Sequence, residues 1–234
     1  MFAWKLIKQV FGCFYDNLFF LIFFNILWFI VVFPLLFLSF QGVVMGFFLL
    51  LLSLIPVGPL FLSGLKVLDQ LAAGEKARFR DLFLNLKESF FPGLTGFIYS
   101  LAVYLILIVD IYFFYSRIEQ SYLMIPLAVI IFYLIIFFSM SQLYFWGLNV
   151  RETENSLWQR IKKSLLLVLD NMLASFLWLM FVIGFTALLL LILPGIPILF
   201  FGLFGLTIMI GNRMIMEQYT EERAGKEGDD SQDV

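Results

Sequence analysis

Polar residues interrupt this chain at regular intervals, and the pattern predicts helices of two kinds. Long apolar runs occupy 18–40, 43–65, 93–115 and 122–148, then Leu165 or Met172 to Leu193, and finally 198–210. Most reach the ~20 residues that a helix needs to cross a hydrocarbon core. The last run is short, which fits a tilted, broken or re-entrant span.

Basic amphipathic segments precede alternate runs. The first, WKLIKQVFGCFYDN from Trp4 to Asn17, returns as WQRIKKSLLLVLDN from Trp158 to Asn171. Trp4, Ile7, Lys8, Asp16 and Asn17 fall on Trp158, Ile161, Lys162, Asp170 and Asn171. A weaker copy, LFLNLKESFF from Leu82 to Phe91, aligns with Leu157 to Leu166 through Leu82, Lys87 and Ser89. Each copy has the form of a helix that lies on a membrane surface and feeds one that crosses it. Basic segments separated by two spans emerge on the same face, so the repeats are parallel hairpins. The expected fold class is all-α: a polytopic bundle of about six spans in three hairpins, with amphipathic interface helices on the cytoplasmic side.

Within this frame, Gly74 is the expected stop of a helix leaving the second span, and Arg80 to Phe90 is an amphipathic helix of its own. IPVGP, Ile55 to Pro59, is expected to kink or break the second span, because each proline lacks a backbone donor and crowds the preceding turn. PGIP, Pro194 to Pro197, holds a similar place in the last hairpin. Residues 1–216 form one membrane domain, and the acidic tail 217–234 is expected to be disordered.

Composition supports this architecture. Hydrophobic residues make up 62% of the chain and charged ones 14%, and mean hydropathy is +1.00, far from soluble usage. With no histidine and one cysteine, Cys13, imidazole acid-base chemistry and metal sites built on His or Cys have no basis. No P-loop, compact carboxylate cluster or Gly-x-Ser-x-Gly pattern is present, so neither an enzyme nor a cofactor is expected. A net charge of -2 gives no electrostatic footprint for nucleic acid.

Charge also sets the orientation. The N-terminal segment holds Lys5 and Lys8, the 66–87 connection Lys66, Lys76, Arg78, Arg80 and Lys87, and the 151–163 connection Arg151, Arg160, Lys162 and Lys163. Arg213, Arg223 and Lys226 follow the last run, leaving only Arg117 for the other side. By the positive-inside rule both termini and both large connections are cytoplasmic.

The candidate sites follow from polar residues in unusual places. Asp110, inside the third span, reads either as an ion- or substrate-linked carboxylate or as a residue meeting water at the span's outer end. Asn25 in the first span reads as an interhelical hydrogen-bonding residue. Asp16, Asn17, Asp170 and Asn171 are either helix N-caps or a pair of polar sites at the cytoplasmic mouth of the bundle. Pro56, Gly58 and Pro59, with Pro194 and Pro197, mark helix breaks that expose backbone to a ligand or serve packing. Arg80, Lys87, Arg160, Lys162 and Lys163 are a cytoplasmic docking set, with headgroup anchoring as the competing role.

The run NLFFLIFFNILWFIVVFPLL, then IPVGP, LAAGEKARFRDLF, LKESF and finally NRMIMEQY together resemble the YesL-like family of bacterial membrane proteins over nearly the whole chain. Val57 stands where that family commonly has threonine, which argues against a polar role for this side chain. The resemblance implies a polytopic helical protein of the bacterial cytoplasmic membrane, in settings concerned with carbohydrate uptake, and supplies no catalytic residue. The expected function is a non-enzymatic accessory or scaffold that contacts the lipid bilayer and docks a membrane protein such as a sugar transporter. The alternative is a small permease, channel or lipid-handling protein with its pathway near Asp110 and the proline-broken spans.

Overall fold

The computed structural model describes the backbone of residues 2–39, 43–119, 121–191 and 199–230. Every long element among them is an α-helix: α1 Phe2–Asp16, α2 Leu18–Ser39, α3 Val43–Ala72, α4 Phe79–Tyr115, α5 Met124–Arg151, α6 Leu157–Asp170, α7 Met172–Leu191 and α8 Phe201–Asp230. Among the described residues, α4, α5 and α7 are long and apolar enough to cross a membrane. α1 meets the first part of α2 at a bend of 87°, as a surface helix feeding a spanning one would.

Local chemistry accounts for several boundaries. Gly74, at φ +79°, closes α3 in a Schellman arrangement. Its amide donates to the Leu71 carbonyl at 2.9 Å, and Glu75 N donates to the Gln70 carbonyl at 3.0 Å; only glycine adopts this φ without strain. α6 opens on a reciprocal capping box: Gln159 N donates to Ser156 Oγ at 3.3 Å, and Ser156 N to Gln159 Oε1 at 2.9 Å.

Of the expectations about the spans, one is narrowed and another corrected. IPVGP does not break its helix: α3 runs unbroken through Pro56, Gly58 and Pro59. Two missing donors cost ladder bonds, but the segment is held by packing against α4. Gly58 lies directly on Gly93, and an added Cβ would come within 2.5 Å of the Gly93 carbonyl oxygen. Likewise, Arg80 to Phe90 is not a separate helix. It is the start of the 37-residue α4, which carries Pro92 in its interior. At 1.5 Å per residue α4 is roughly 55 Å long, longer than a hydrocarbon core. α8 runs as helix to Asp230; Glu217 to Ala224 contains good helix formers and no proline. Pro194 and Pro197 lie outside the described residues.

The middle of the bundle is the inner half of α5, where every residue from Met140 to Asn149 is buried. α3, α4, α6 and α8 all pack against α5. At the α2–α3–α8 meeting, Phe201 stacks on Trp28 at 4.4 Å between ring centroids and meets Phe24 and Phe61, each at 5.4 Å. The outer halves of α4 and α5 expose Ile106, Val109, Ile130 and Leu134, an apolar surface suited to hydrocarbon.

Asn25 ties α2 to α8. Its Oδ1 accepts from Gly202 N at 2.9 Å and its Nδ2 donates to the Leu21 carbonyl at 2.6 Å. The Gly202 amide belongs to the first turn of α8, where backbone donors have no intrahelical partner. Asn25→Leu leaves that buried donor unmatched and is expected to cost about 1–3 kcal/mol. Thermal unfolding of the purified variant checks this, and a midpoint equal to the parent's would show that the bond adds nothing.

Candidate functional site

The polar residues gather in three places: an ion network at the basic end of the bundle, the surface of the amphipathic helices, and a seam inside the bundle.

The ion network centres on Asp69, near the end of α3. Asp69 Oδ1 accepts from Arg151 Nη2 of α5 at 2.7 Å and from Arg213 Nε of α8 at 3.2 Å. Arg213 Nη2 also donates to the Asp69 carbonyl at 3.0 Å. One carboxylate thus joins three helices. Beside it lies a cleft of about 410 Å³ whose lining includes Gln9, Cys13, Asp16, Asn17, Arg213 and Glu217. Burial, and secondly the charge of Asp16, raise the Cys13 thiol pKa above its ordinary value, so the neutral thiol is favoured here. Sγ donates to the Leu71 carbonyl at 3.6 Å.

Asp170 and Asn171 are not among the residues lining this cleft. Both asparagines do cap, but from the opposite side to the one expected. Asn17 Nδ2 donates to the Cys13 carbonyl at 3.0 Å and Asn171 Nδ2 to the Leu167 carbonyl at 3.3 Å. Each amide therefore finishes the preceding amphipathic helix and does not begin the next. The carbonyl four residues back already accepts from each asparagine's own backbone N–H, at 3.2 Å from Asn17 and 3.1 Å from Asn171, and the amide NH2 takes up its second lone pair.

The amphipathic helices present matching faces. Trp4 and Trp158 are each 73% exposed, and Lys8 and Lys162 are exposed one turn further on. In α4, Phe83 and Lys87 are exposed at the same spacing. An aromatic residue followed by lysine at i+4 is thus on the surface in all three copies. Arg80, Lys87 and Lys162 have no ion-pair or hydrogen-bond partner among the described residues.

Two of the expected docking cations are not free at the surface. Lys163 pairs with Glu152. Arg160 is only 5% exposed, which removes it from any docking surface. In the alignment of the two segments Arg160 falls on Leu6 of α1, which is fully buried. Desolvation lowers its pKa, and Glu152 partly offsets this.

The third gathering is a polar seam between the antiparallel α4 and α5. Tyr104 Oη and Ser139 Oγ lie 3.0 Å apart, and Ser100 Oγ lies 2.7 Å from Gln142 Oε1. Gly96 sits against Asn149 and Phe145. A pocket of about 290 Å³ opens beside the seam, walled by α3, α4, α5 and α8; Ser100, Tyr104 and Gln142 are its polar residues and Val57 contributes from α3. Asp110, six residues beyond Tyr104, is half-buried near the far end of α4 and does not line this pocket. Among the described residues no cluster of carboxylates or thiols has the makings of a metal site.

Reading the sequence for isolated charges missed Gln142, Asn149 and Asn212. The signal was present in SMSQLYFWGLN, Ser139 to Asn149, the most polar stretch of the fourth apolar run. Asn212 Nδ2 donates to the Leu143 carbonyl at 2.8 Å and the Gln142 amide bonds with Ser100 Oγ at 2.7 Å, so these two amides cross-link helices as polar residues in membranes do; Asn149 is buried with no such bond among the described residues.

Comparison of the chain with known protein families, curated proteins and solved structures finds no match.

Proposed function

We propose that this chain is a six-span protein of the bacterial cytoplasmic membrane, with both termini in the cytoplasm, that acts as a non-enzymatic accessory docking a partner. Three hairpins, each led by an amphipathic segment, account for the recurrence of exposed aromatic and lysine residues at Trp4 and Lys8, Phe83 and Lys87, and Trp158 and Lys162. The resemblance to the YesL-like family supports a transporter of carbohydrates as the partner.

One observation carries the docking reading. At the basic end of the bundle Arg151, Arg213, Lys163 and Lys66 are ion-paired within the chain and Arg160 is buried, whereas Arg80, Lys87 and Lys162 stay exposed. Unpaired rim charges of this kind govern association rate and partner choice more than stability.

The test is co-purification from native membranes in mild detergent, comparing the parent chain with a triple variant carrying Arg80→Glu, Lys87→Glu and Lys162→Glu. The expected result is a stoichiometric membrane-protein partner lost from the variant while its thermal midpoint is unchanged. Retention of the partner by the folded variant would overturn the assignment of these residues. Solute movement by the purified chain alone, with no partner recovered, would overturn the accessory role itself.

A further inference from the structure

α5 and α7 are joined where Tyr144 Oη and Ser175 Oγ lie 2.7 Å apart and the Tyr144 ring meets Trp178 edge to face at 5.4 Å between centroids. Along α5 from this joint, between Ile130 and Met140, a cleft of about 690 Å³ parts the two helices. Leu134, Phe137 and Met140 wall it from α5, and Met172, Leu173 and Phe176 from α7. Tyr133 brings the single hydroxyl among the lining side chains. Ile130 and Leu134 belong to the apolar surface on the outer half of α5 and also line the cleft. The cleft is therefore continuous with the face suited to hydrocarbon.

The lining decides what fills it. Water inside a protein is held by several polar partners, and walls of leucine, phenylalanine and methionine provide none. Hydrocarbon makes dispersion contacts with both walls at once, and the unbranched side chains of Met140 and Met172 adapt to an irregular occupant. Length separates an acyl chain from a partner helix. A spanning helix is about 10 Å across and needs about 20 residues of face. The cleft instead follows α5 only from Ile130 to Met140, roughly 15 Å, which is half of a hydrocarbon core about 30 Å thick. That is the depth of one leaflet. Met172 and Leu173 are the first residues of α7, where the basic segment α6 gives way to a span. Under the orientation proposed above, this end of the cleft opens at the cytoplasmic boundary.

We propose that the α5–α7 cleft is a lipid site that holds one acyl chain of a phospholipid from the cytoplasmic leaflet, more tightly than the lipid around the rest of the bundle is held. The proposal rests on the membrane placement and orientation given above and needs no protein partner.

The experiment adds dipalmitoyl phosphatidylglycerol, or its dihexanoyl analogue, to the full-length protein in detergent, washes away loosely held lipid and counts what is retained by native mass spectrometry. Both probes carry one headgroup, so their difference reads the acyl chains alone. The expected result is one dipalmitoyl lipid per protein, retained at least about tenfold better than the analogue, whose short chains bury far fewer methylene groups. Leu134→Trp and Leu173→Trp, which fill the cleft from opposite walls, are each expected to lower retention about tenfold by taking the space in which those contacts form. The two leucines are 45% and 74% exposed, so the larger rings leave the unfolding midpoint unchanged. Ile106→Trp, at an exposed position of α4 outside the cleft, is expected to retain lipid as the parent does. Absence of retained lipid from the parent would overturn the proposal. So would equal retention by all three variants, the mark of annular lipid only. The cleft variants keep Arg80, Lys87 and Lys162, so partner docking stands or fails independently of this result.

Discussion

Gly93→Ala is expected to be among the most damaging single-methyl changes at the described glycines, lowering stability by about 3 kcal/mol or more, at the upper end of what overpacking costs. The reason is what the methyl would meet. Its Cβ would lie 2.7 Å from the Gly58 carbonyl oxygen and 2.7 Å from Pro59 Cα. Both are backbone atoms of a helix, so neither moves as a side-chain tip would, and α3 and α4 must separate. Gly58→Ala makes the reciprocal clash with the Gly93 carbonyl at 2.5 Å and with Phe97 Cβ at 2.6 Å. Small residues that let helix backbones touch are the main adhesive within a bilayer, where burial against lipid provides little drive. Gly184→Ala, whose Cβ would meet nothing within 4 Å, is the control and is expected to stay within about 0.5 kcal/mol of the parent. Thermal or denaturant unfolding in one detergent ranks the three variants. A Gly93→Ala midpoint equal to that of Gly184→Ala would mean that α3 and α4 are not held by this contact.

The same contact shows where the sequence was readable and where it was not. A Gly-Pro pair inside an apolar run signals something unusual about the backbone, and IPVGP is such a signal. What it cannot show from one side is its partner, because Pro92-Gly93 lies 34 residues away and reads as the border between a surface helix and a span. Gly74 and the Asp-Asn pairs were legible for the opposite reason: they act within a few residues of themselves. Gly74 stops its helix as its neighbours require. Asn17 and Asn171 cap, though the direction depends on where the amide falls relative to the preceding carbonyls. The polar seam was legible only in composition, since Gln142 becomes informative when Ser100 and the pocket are placed beside it.

Charges were the least separable. The positive-inside rule counts every lysine and arginine near a span whatever that residue does next. It therefore groups Arg151 and Arg213, which bind Asp69, and Arg160, which is buried, with Lys87 and Lys162, which remain on the surface. In sequence Asp69 is one of several acids interleaved with cations around the 66–88 connection; only the packing of α3, α5 and α8 makes it the common partner of two arginines from distant helices. Leu6, onto which Arg160 aligns, is an ordinary core residue, which sharpens the point.

Asp69→Leu is expected to produce the second large effect, a loss of about 2–3 kcal/mol. Removing one member of a buried ion pair costs about 3–5 kcal/mol because the remaining charge is left without compensation. Here the Asp69 side chain is 18% exposed and those of Arg151 and Arg213 are 26% and 31% exposed, so solvent screening reduces the figure. Two guanidinium groups then face each other at the junction of three helices. Asp69→Asn keeps an oxygen at the Oδ1 position and is expected to cost less than Asp69→Leu, separating the loss of charge from the loss of a hydrogen-bond acceptor. Following Asp69→Leu with Arg151→Leu and Arg213→Leu is expected to recover part of the loss, because an apolar trio needs no counter-ion. The arginine replacements also give up the Arg213 bond to the Asp69 backbone carbonyl, so recovery is incomplete. Unfolding curves of the four chains at low and high salt complete the measurement, with the penalty of Asp69→Leu shrinking as salt shields the arginines from one another. If Asp69→Leu melts with the parent at both salt concentrations, the three helices are held by their apolar faces alone, and the two arginines serve only membrane orientation.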